Sequence, residues 1–514
     1  MIEGRTLWQL IERRAQESPD ARFLTDEGKR TMTFAEYRRA AEVAASGLAA
    51  MGVAEDTPVT WQLPTWIESF VLVGALSRLG AVQNPVMPIY RQREVGFVTQ
   101  QTGARLLVVP TSFRGFDYKG MADQIAAGSD HLEVLVADRQ LPSGDPSALP
   151  PAPVVGASDP LPVRWRFYTS GTTADPKGAQ HTDATIMASA TAMAERLKLS
   201  SSDVHGFVFP FTHIGGAGLL MAALIAGMTH VIVEAFDPPT VVGLFDREQA
   251  TLAGAGTVFH QAYLAESRKR APEKVLQNVR AWIGGGAPKP PQLHYDMKAE
   301  IGGVGIVSGY GLTEAPIVTM ASVDDPDDKL ANTEGRASPG VELKVVTISG
   351  KVAGPGEEGE IRAKGPQVCL GYLDSALDSE AFDEEGFFRT GDLGLVDAEG
   401  YVVITGRLKD VIIRKGENIS AKEVEDLLYT HEKVADVAVI GLPDPALGER
   451  CCAVVALRDA GNPIGFDEMV DFLKSKGLMV QKIPEQLETV EAIPRNPSGK
   501  IVKHVLRDRY AKTA

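Results

Sequence analysis

One stretch, Tyr168-Thr169-Ser170-Gly171-Thr172-Thr173-Ala174-Asp175-Pro176-Lys177-Gly178, constrains this chain more than any other. Hydroxyl side chains, two glycines and a lysine crowd together there. Small residues let the backbone approach a ligand closely, and consecutive N–H groups can form an anion-binding nest. Hydroxyls add neutral donors, and the lysine adds a mobile positive charge. Such a loop suits a polyphosphate. It is not a Walker loop, which requires Gly-Lys followed by Ser or Thr; here Gly178 follows Lys177. Taken alone, the stretch also reads as a solvated Ser/Thr/Gly turn, so its meaning depends on its surroundings.

Those surroundings alternate short apolar runs with helical patterns. Leu7 to Gln16 is amphipathic at helical spacing, and Thr33-Phe34-Ala35-Glu36 is a capping box that predicts a helix to about Met51, stopped at Gly52. Ile67 to Leu79 predicts a helix stopped at Gly80. Val59 to Leu63, Val82 to Pro88, Arg105 to Pro110 and Leu132 to Ala137 read as short strands or extended pieces. This texture implies βαβ units and a largely parallel sheet. Residues 141–163, rich in Pro, Ser and Ala, form a connector into the loop. Beyond it, Thr185 to Leu197 is helical, Val204 to Phe211 a strand, and Gly216 to Met228 a buried helix followed by a strand at Val231-Ile232-Val233. Several strands break at glycines: before Gly215-Gly216, at Gly284-Gly285-Gly286-Ala287-Pro288, and at Gly311-Leu312-Thr313-Glu314. Ligands in open α/β sheets gather beyond the carboxyl ends of strands, so these ends are expected to face one crevice.

From Gly335 the pattern turns β-like, through Glu342 to Ile348, Gly359 to Ala363, Phe387 to Asp392 and Tyr401 to Thr405. Gly406-Arg407-Leu408-Lys409-Asp410 follows, then an apolar run from Val411. Ser420-Ala421-Lys422-Glu423 reads as a second capping box, opening a helix to about Leu428. Val434 to Gly441 and Cys451 to Leu457 are strands, Phe466 to Lys476 a helix, and Asn496-Pro497-Ser498-Gly499-Lys500 precedes a basic terminal helix.

Bulk properties exclude some functions. A net charge of −15 argues against a duplex-binding surface, which needs a basic face. Three cysteines, Cys369, Cys451 and Cys452, fit neither a zinc site nor a disulfide framework, and predict reduced thiols in a cytoplasmic protein. No basic segment followed by an apolar core opens the chain, and the Gly216–Met228 run is short of the roughly 20 residues of a membrane span.

Taken in order, Tyr168–Gly178, Gly285-Gly286-Ala287-Pro288, Gly309-Tyr310-Gly311-Leu312-Thr313-Glu314, Arg389-Thr390-Gly391-Asp392, Gly406–Asp410 and Asn496–Lys500 resemble the adenylate-forming superfamily of acyl-CoA synthetases, carrier-protein adenylation domains and luciferases. Ala174 departs from the glycine usual in that family's loop. The resemblance implies an α/β fold: a large N-terminal AMP-binding domain (1–406) of mixed, largely parallel sheets flanked by helices with a small β-rich subdomain, a hinge (407–410), and a small mobile α+β C-terminal domain (411–514). It implies ATP, Mg2+ and coenzyme A. Residue by residue, Thr169, Ser170, Gly171, Thr172, Thr173 and Lys177 would hold phosphates, and Glu314 would bind Mg2+ with Thr313 near the α-phosphate. Tyr310 with Gly285, Gly286, Ala287 and Gly311 would enclose adenine, Asp392 and Arg407 the ribose. Lys500 would bridge the substrate carboxylate and the α-phosphate. Lys409 would be the hinge residue, and Lys415 and Gly416 would line the pantetheine tunnel.

The acyl pocket is expected around His213, Gly215, Gly216, Gly286 and Gly311, with Gly215 to Gly218 leaving room and Leu219 to Met221 supplying apolar walls. No charge stands there to fix an amino group, so an apolar acid is favoured: fatty, alicyclic, aromatic or terpenoid. The Asn84–Arg91 run most resembles fatty-acid and cyclohexanecarboxylate-type CoA ligases. The expected partners are a small carboxylic acid and CoA, with no nucleic acid. A homodimer is compatible with this reading, and an acyl carrier protein is the acceptor in the alternative one.

Overall fold

The computed structural model describes the chain apart from residues 157, 170–175, 415–416, 446, 497–498 and 512–514. Two sheets dominate the first two thirds. The larger has nine strands in the order Arg336–Ala337, Thr319–Met320, Ile306–Tyr310, Ala281–Gly285, Leu252–Ala255, Val204–Phe207, Thr229–Ile232, Arg22–Thr25 and Thr31–Thr33. Its central pairings are parallel and its edges antiparallel. The second has six, in the order Lys177–His181, Trp165–Thr169, Val82–Pro85, Pro58–Trp61, Leu106–Val109 and Glu133–Val136, parallel except for the first hairpin.

One core joins them. Trp61, Val108 and Trp165 from the six-stranded sheet share it with Phe207, Leu252 and Val307 from the nine-stranded sheet, and with Phe70, Ile186 and Leu220 from helices. The helices Ile67–Leu79 and Ile214–Ala226 carry almost no polar face and are buried nearly all round, as such sequences must be in water. Gly80 closes the first of them in the left-handed conformation at φ +70°, and Thr33 caps Phe34–Ala50 through the full reciprocal box.

Four antiparallel strands, Glu342–Val346, Gly359–Lys364, Phe388–Val396 and Val402–Arg407, make a third sheet. A fourth, built from Ile412–Arg414, Glu417–Ile419, Val434–Asp444, Gly448–Leu457 and Gln486–Val490, is covered on both faces. Alternation along its strands sends Val437, Val439 and Cys451 toward the helices Ala421–Tyr429 and Phe466–Ser475. Ala438, Ile440 and Cys452 face the other way, toward Leu506 and Tyr510 of the terminal helix Lys503–Tyr510. All three cysteines are buried and free. Among the described residues no helix is long and apolar enough to cross a membrane.

Two local readings change. The box expected at Ser420 forms only by half: Ser420 Oγ accepts from Glu423 N, but the Glu423 carboxylate pairs with Lys482 at 2.6 Å instead of returning to the cap. Among the described residues, the helices Gln92–Thr102, Tyr118–Ala126, Pro238–Arg247, Thr257–Arg270 and Pro291–Glu300 lacked a legible signal, as did the short Asp327–Asn332 and Asp378–Ala381. Thr257–Arg270 starts at Gly256 without a side-chain cap and buries His260, Glu266 and Ser267 beside its apolar residues, which blurs the helical period.

The fourth sheet and its helices dock on the rest of the chain through few, specific contacts. Gln261 Nε2 donates to Tyr429 Oη at 3.1 Å, and Ser420 Oγ to the Thr405 carbonyl at 2.5 Å. Gly499 sits so close to Val258 that a Cβ on it would lie 2.9 Å from Val258 Cγ2.

Candidate active site

The strands Trp165–Thr169 and Lys177–His181 form a hairpin closed at its loop end by the pair Thr169 and Lys177. The loop residues Ser170, Gly171, Thr172 and Thr173, expected to hold phosphates, lie outside the described residues, as do Lys415 and Gly416. A distant segment zips onto the hairpin's outer strand. Gln180 N donates to Gly371 O at 3.0 Å, Leu370 N to Gln180 O at 2.9 Å, and Leu373 N to Gly178 O at 2.8 Å. This ladder puts the Tyr372 ring 5.4 Å from the Lys177 ammonium, a cation–π distance. The Tyr372 hydroxyl donates to Glu314 Oε1 at 2.6 Å.

Glu314 lies on the loop after the strand Ile306–Tyr310, and the loop is held from several sides. Cys369 N donates to the Glu314 carbonyl at 2.7 Å. A Cβ on Gly311 would lie 2.4 Å from Ile317 N, so only glycine permits this turn. The His181 ring, fully buried, has Nε2 2.9 Å from the Thr313 carbonyl and Nδ1 2.9 Å from Thr185 Oγ1. Burial pulls its pKa down to about 4, so the ring is neutral and carries its proton on Nε2, facing the carbonyl. Glu314 is only 8% exposed, and among the described residues no cluster of three or more His, Cys, Asp or Glu could hold a metal alone. One hard carboxylate, with a second oxygen beyond the Tyr372 contact, fits a Mg2+ whose other ligands are phosphate oxygens and water.

The neighbouring strand ends build the next part of the crevice. Gly284 and Gly285 pair with Ser308 and Gly309, and Gly286 at φ +73° has open space where a Cβ would stand. Ala287 follows, half-buried. The Tyr310 hydroxyl donates to Asp392 Oδ2 at 2.8 Å, and Arg407 Nε pairs with Asp392 Oδ1 at 2.7 Å. Asp392 and Arg407 face each other in antiparallel register. Burial, then the Asp392 charge, push the Tyr310 phenol well up, so it stays a proton donor. A carboxylate offers about four lone-pair sites, so Asp392 can still accept from hydroxyls.

Lys500 reaches this crevice from the far end of the chain. Its turn is held by Asn496 N donating to Lys500 O at 2.8 Å and by Lys500 N donating to Asn496 Oδ1 at 2.9 Å, with Gly499 at φ +83°. Arg495 braces the turn, donating to Gly499 O at 2.8 Å and to both Asp436 oxygens. Burial first, then the nearby Arg407 charge, bring the Lys500 ammonium down to about 8, against the pull of Asp392 and Glu314. Lys500 in turn adds to the burial that holds His213 at about 4. Lys500, Arg407, Asp392, Glu314 and His213 therefore share one electrostatic neighbourhood. Lys409 lies on the short turn Leu408–Asp410, its pKa lowered by burial and Arg407, while Asp410 is tied to Arg507 of the terminal helix at 2.8 Å.

The acyl side needs correction. His213 caps Ile214–Ala226, its Nδ1 accepting from Gly215 N at 3.1 Å, and its ring meets Phe209 edge-on at 4.7 Å. Gly216 does not open a cavity: a Cβ there would lie 2.4 Å from the Phe211 carbonyl. At Gly218 it would lie 3.2 Å from Met193 Cε. These glycines let the helix pack closely. Leu220 and Met221 are fully buried in the shared core rather than presented as a wall. Gly215, beside His213 and Phe209, is the glycine of this run that stays at the site.

The sequence reading missed Tyr372 and His181. Tyr372 lies 58 residues from Glu314 along the chain, in a stretch without periodicity, and His181 reads as an ordinary strand residue.

Residues 11–373 match the AMP-binding enzymes and residues 423–500 the AMP-binding enzyme C-terminal domain. The chain is 32% identical over 506 residues to the medium-chain fatty-acid–CoA ligase of Escherichia coli, covering 96% of this chain and 88% of that one. It is also 32% identical over 526 residues to the salicyl-AMP ligase / salicyl-S-ArCP synthetase of Mycobacterium tuberculosis, covering 98% and 90%. The structure of O-succinylbenzoate coenzyme A synthetase from Bacillus subtilis in complex with ATP and magnesium ion superposes with a TM-score of 0.81 at 29% identity, covering 97% of this chain and 99% of the other. The chain therefore belongs to the AMP-binding enzyme family, as an AMP-forming acid–thiol ligase of the acyl-CoA synthetase type.

Proposed function

We propose that the crevice adenylates an apolar carboxylic acid and passes the acyl group to coenzyme A, with the residue roles that follow. The observation that carries this reading is a buried Lys500 ammonium that feels the charges of Asp392 and Glu314 and that in turn lowers the His213 pKa. A carboxylate and a phosphate repel each other, and a buried ammonium between them favours the charge distribution at the transition state. The acid's oxygen attacks the α-phosphorus, the bond to the β-phosphate breaks, and pyrophosphate leaves. The CoA thiolate then attacks the acyl carbon, and AMP leaves. Thr169, Lys177 and the loop between them hold the phosphates, and Thr313 stands by the α-phosphate. Mg2+, when bound, neutralises phosphate charge, and Glu314 is its protein ligand. Tyr310, Gly285, Gly286, Ala287 and Gly311 hold adenine; Asp392 and Arg407 hold the ribose. His213 and Gly215 face the acyl carboxylate end. In this reading 1–406 and 411–514 are the two domains, 407–410 is the hinge with Lys409 as pivot, and Lys415 and Gly416 line the thiol's path.

The edge-on pairing of His213 with Phe209 supports an apolar acid. Three free, buried cysteines support a cytoplasmic setting. The M. tuberculosis relative supports a second reading, in which a carrier protein's phosphopantetheine is the acceptor. ATP-dependent pyrophosphate release over a panel of apolar acids, with and without CoA, separates the two. Strong stimulation by CoA is the expected result. Release that CoA leaves unchanged would assign the acceptor to a carrier protein.

A further inference from the structure

We propose that Tyr372 is a positioning residue that fixes Glu314 for the metal and Lys177 for the phosphates together. The inference rests on the reading of Glu314 as the Mg2+ ligand. Its hydroxyl donates to Glu314 Oε1 at 2.6 Å, and its ring lies 5.4 Å from the Lys177 ammonium. The side chain is 4% exposed, and its backbone is locked independently of both contacts: Tyr372 N donates to Asp378 Oδ1 at 2.8 Å, and Gln180 Nε2 to Tyr372 O at 3.2 Å. A tyrosine so placed cannot follow either partner; each partner must come to it. Engaging Oε1 fixes the carboxylate's rotation and leaves Oε2 for a cation. A neutral phenol does this without the counter-charge that an Arg or Lys would bring, which would compete with the metal. The ring face meanwhile steadies the Lys177 cation near the loop end of the hairpin without neutralising it. One side chain thus sets the spacing between the two cations that must embrace a polyphosphate.

The test is Mn2+ affinity of the ATP-bound enzyme, read by electron paramagnetic resonance, for the wild type, Tyr372→Phe and Glu314→Gln. Removing a partner that orients a metal ligand is expected to weaken binding about tenfold, so Tyr372→Phe should bind Mn2+ about tenfold more weakly. Thiolation of pre-made acyl-adenylate, a step that uses neither Lys177 nor the metal, should stay within about twofold of wild type by the same reasoning. Wild-type Mn2+ affinity in Tyr372→Phe beside a loss in Glu314→Gln would overturn the role of Tyr372 and leave Glu314 standing. No change in either variant would overturn the metal role of Glu314, and this inference with it. Should Tyr372→Phe not fold, Tyr372→Gln, which keeps a donor, is compared with Tyr372→Leu, which does not. Tighter Mn2+ binding by the glutamine variant supports the inference, and equal binding refutes it.

Discussion

Lys500 carries a charge poised where a pH change can remove it. In the structure its pKa falls from 10.5 to about 8, chiefly through burial. At 1.36 kcal/mol per pH unit this is a cost of about 3 kcal/mol for bringing the ammonium in. The sign follows from the protons. A lysine in water keeps its proton to about 10.5, so burying it releases the proton between about 8 and 10.5. The cost of burying Lys500 in the empty crevice is therefore full below about pH 8 and fades as pH rises toward 10.5. For catalysis the charged form is the useful one. With a pKa of about 8, some nine tenths of Lys500 is protonated at pH 7 and one tenth at pH 9, so kcat/KM for ATP in acid-dependent ATP–pyrophosphate exchange should fall about tenfold across that interval. Lys500→Arg should flatten the limb, because a guanidinium does not titrate there. Lys500→Ala should abolish exchange yet leave thiolation of pre-made acyl-adenylate nearly intact. A limb that survives in Lys500→Arg, or equal loss of both half-reactions in Lys500→Ala, would refute the reasoning.

The neighbours of Lys500 allow a sharper check. Arg407 lowers its pKa and Asp392 raises it, so Arg407→Ala should move the alkaline limb to higher pH and Asp392→Asn to lower pH; shifts in the same direction would contradict the charge map. Lys409→Pro should stiffen the Leu408–Asp410 turn and slow thiolation by about tenfold or more with adenylation largely kept, and an unchanged thiolation rate would place the pivot elsewhere. Gly216→Ala forces a methyl to 2.4 Å from the Phe211 carbonyl. Overpacking of this kind costs about 1–3 kcal/mol, visible as a lower thermal midpoint, and a midpoint equal to wild type would remove the packing account of that glycine.

What the sequence made legible was local. The helix Ile67–Leu79 was bounded by a proper stop signal at Gly80, and Ile306–Tyr310 by the glycine after it, because a single residue's backbone preference decides each end. Lys500, Asp392, Arg407 and Glu314 stand out through short motifs, and the fold gathers them. The pairings among them were not legible. That Tyr310 spends its hydroxyl on Asp392, or that Glu314 leans on Tyr372, depends on strands meeting across 82 and 58 residues of chain. No local period encodes such a meeting. The glycines after His213 misled for a related reason. A missing side chain leaves room either for a ligand or for a neighbouring backbone, and only the packed structure showed Phe211 already there at Gly216.

The ladder that joins Gly178 and Gln180 to the segment around Tyr372 has a consequence for biosynthesis. Its partners are about 190 residues apart, Gln180 and Tyr372 being separated by 192. At about 5–20 residues per second of synthesis, the hairpin waits some ten to forty seconds on the ribosome for its clasp. The half-made chain carries the strand Lys177–His181 as an unclasped edge, with Tyr372 not yet standing between Lys177 and Glu314. The bare edge strand Lys177–His181 is the segment that nascent-chain chaperones would be expected to cover during the wait.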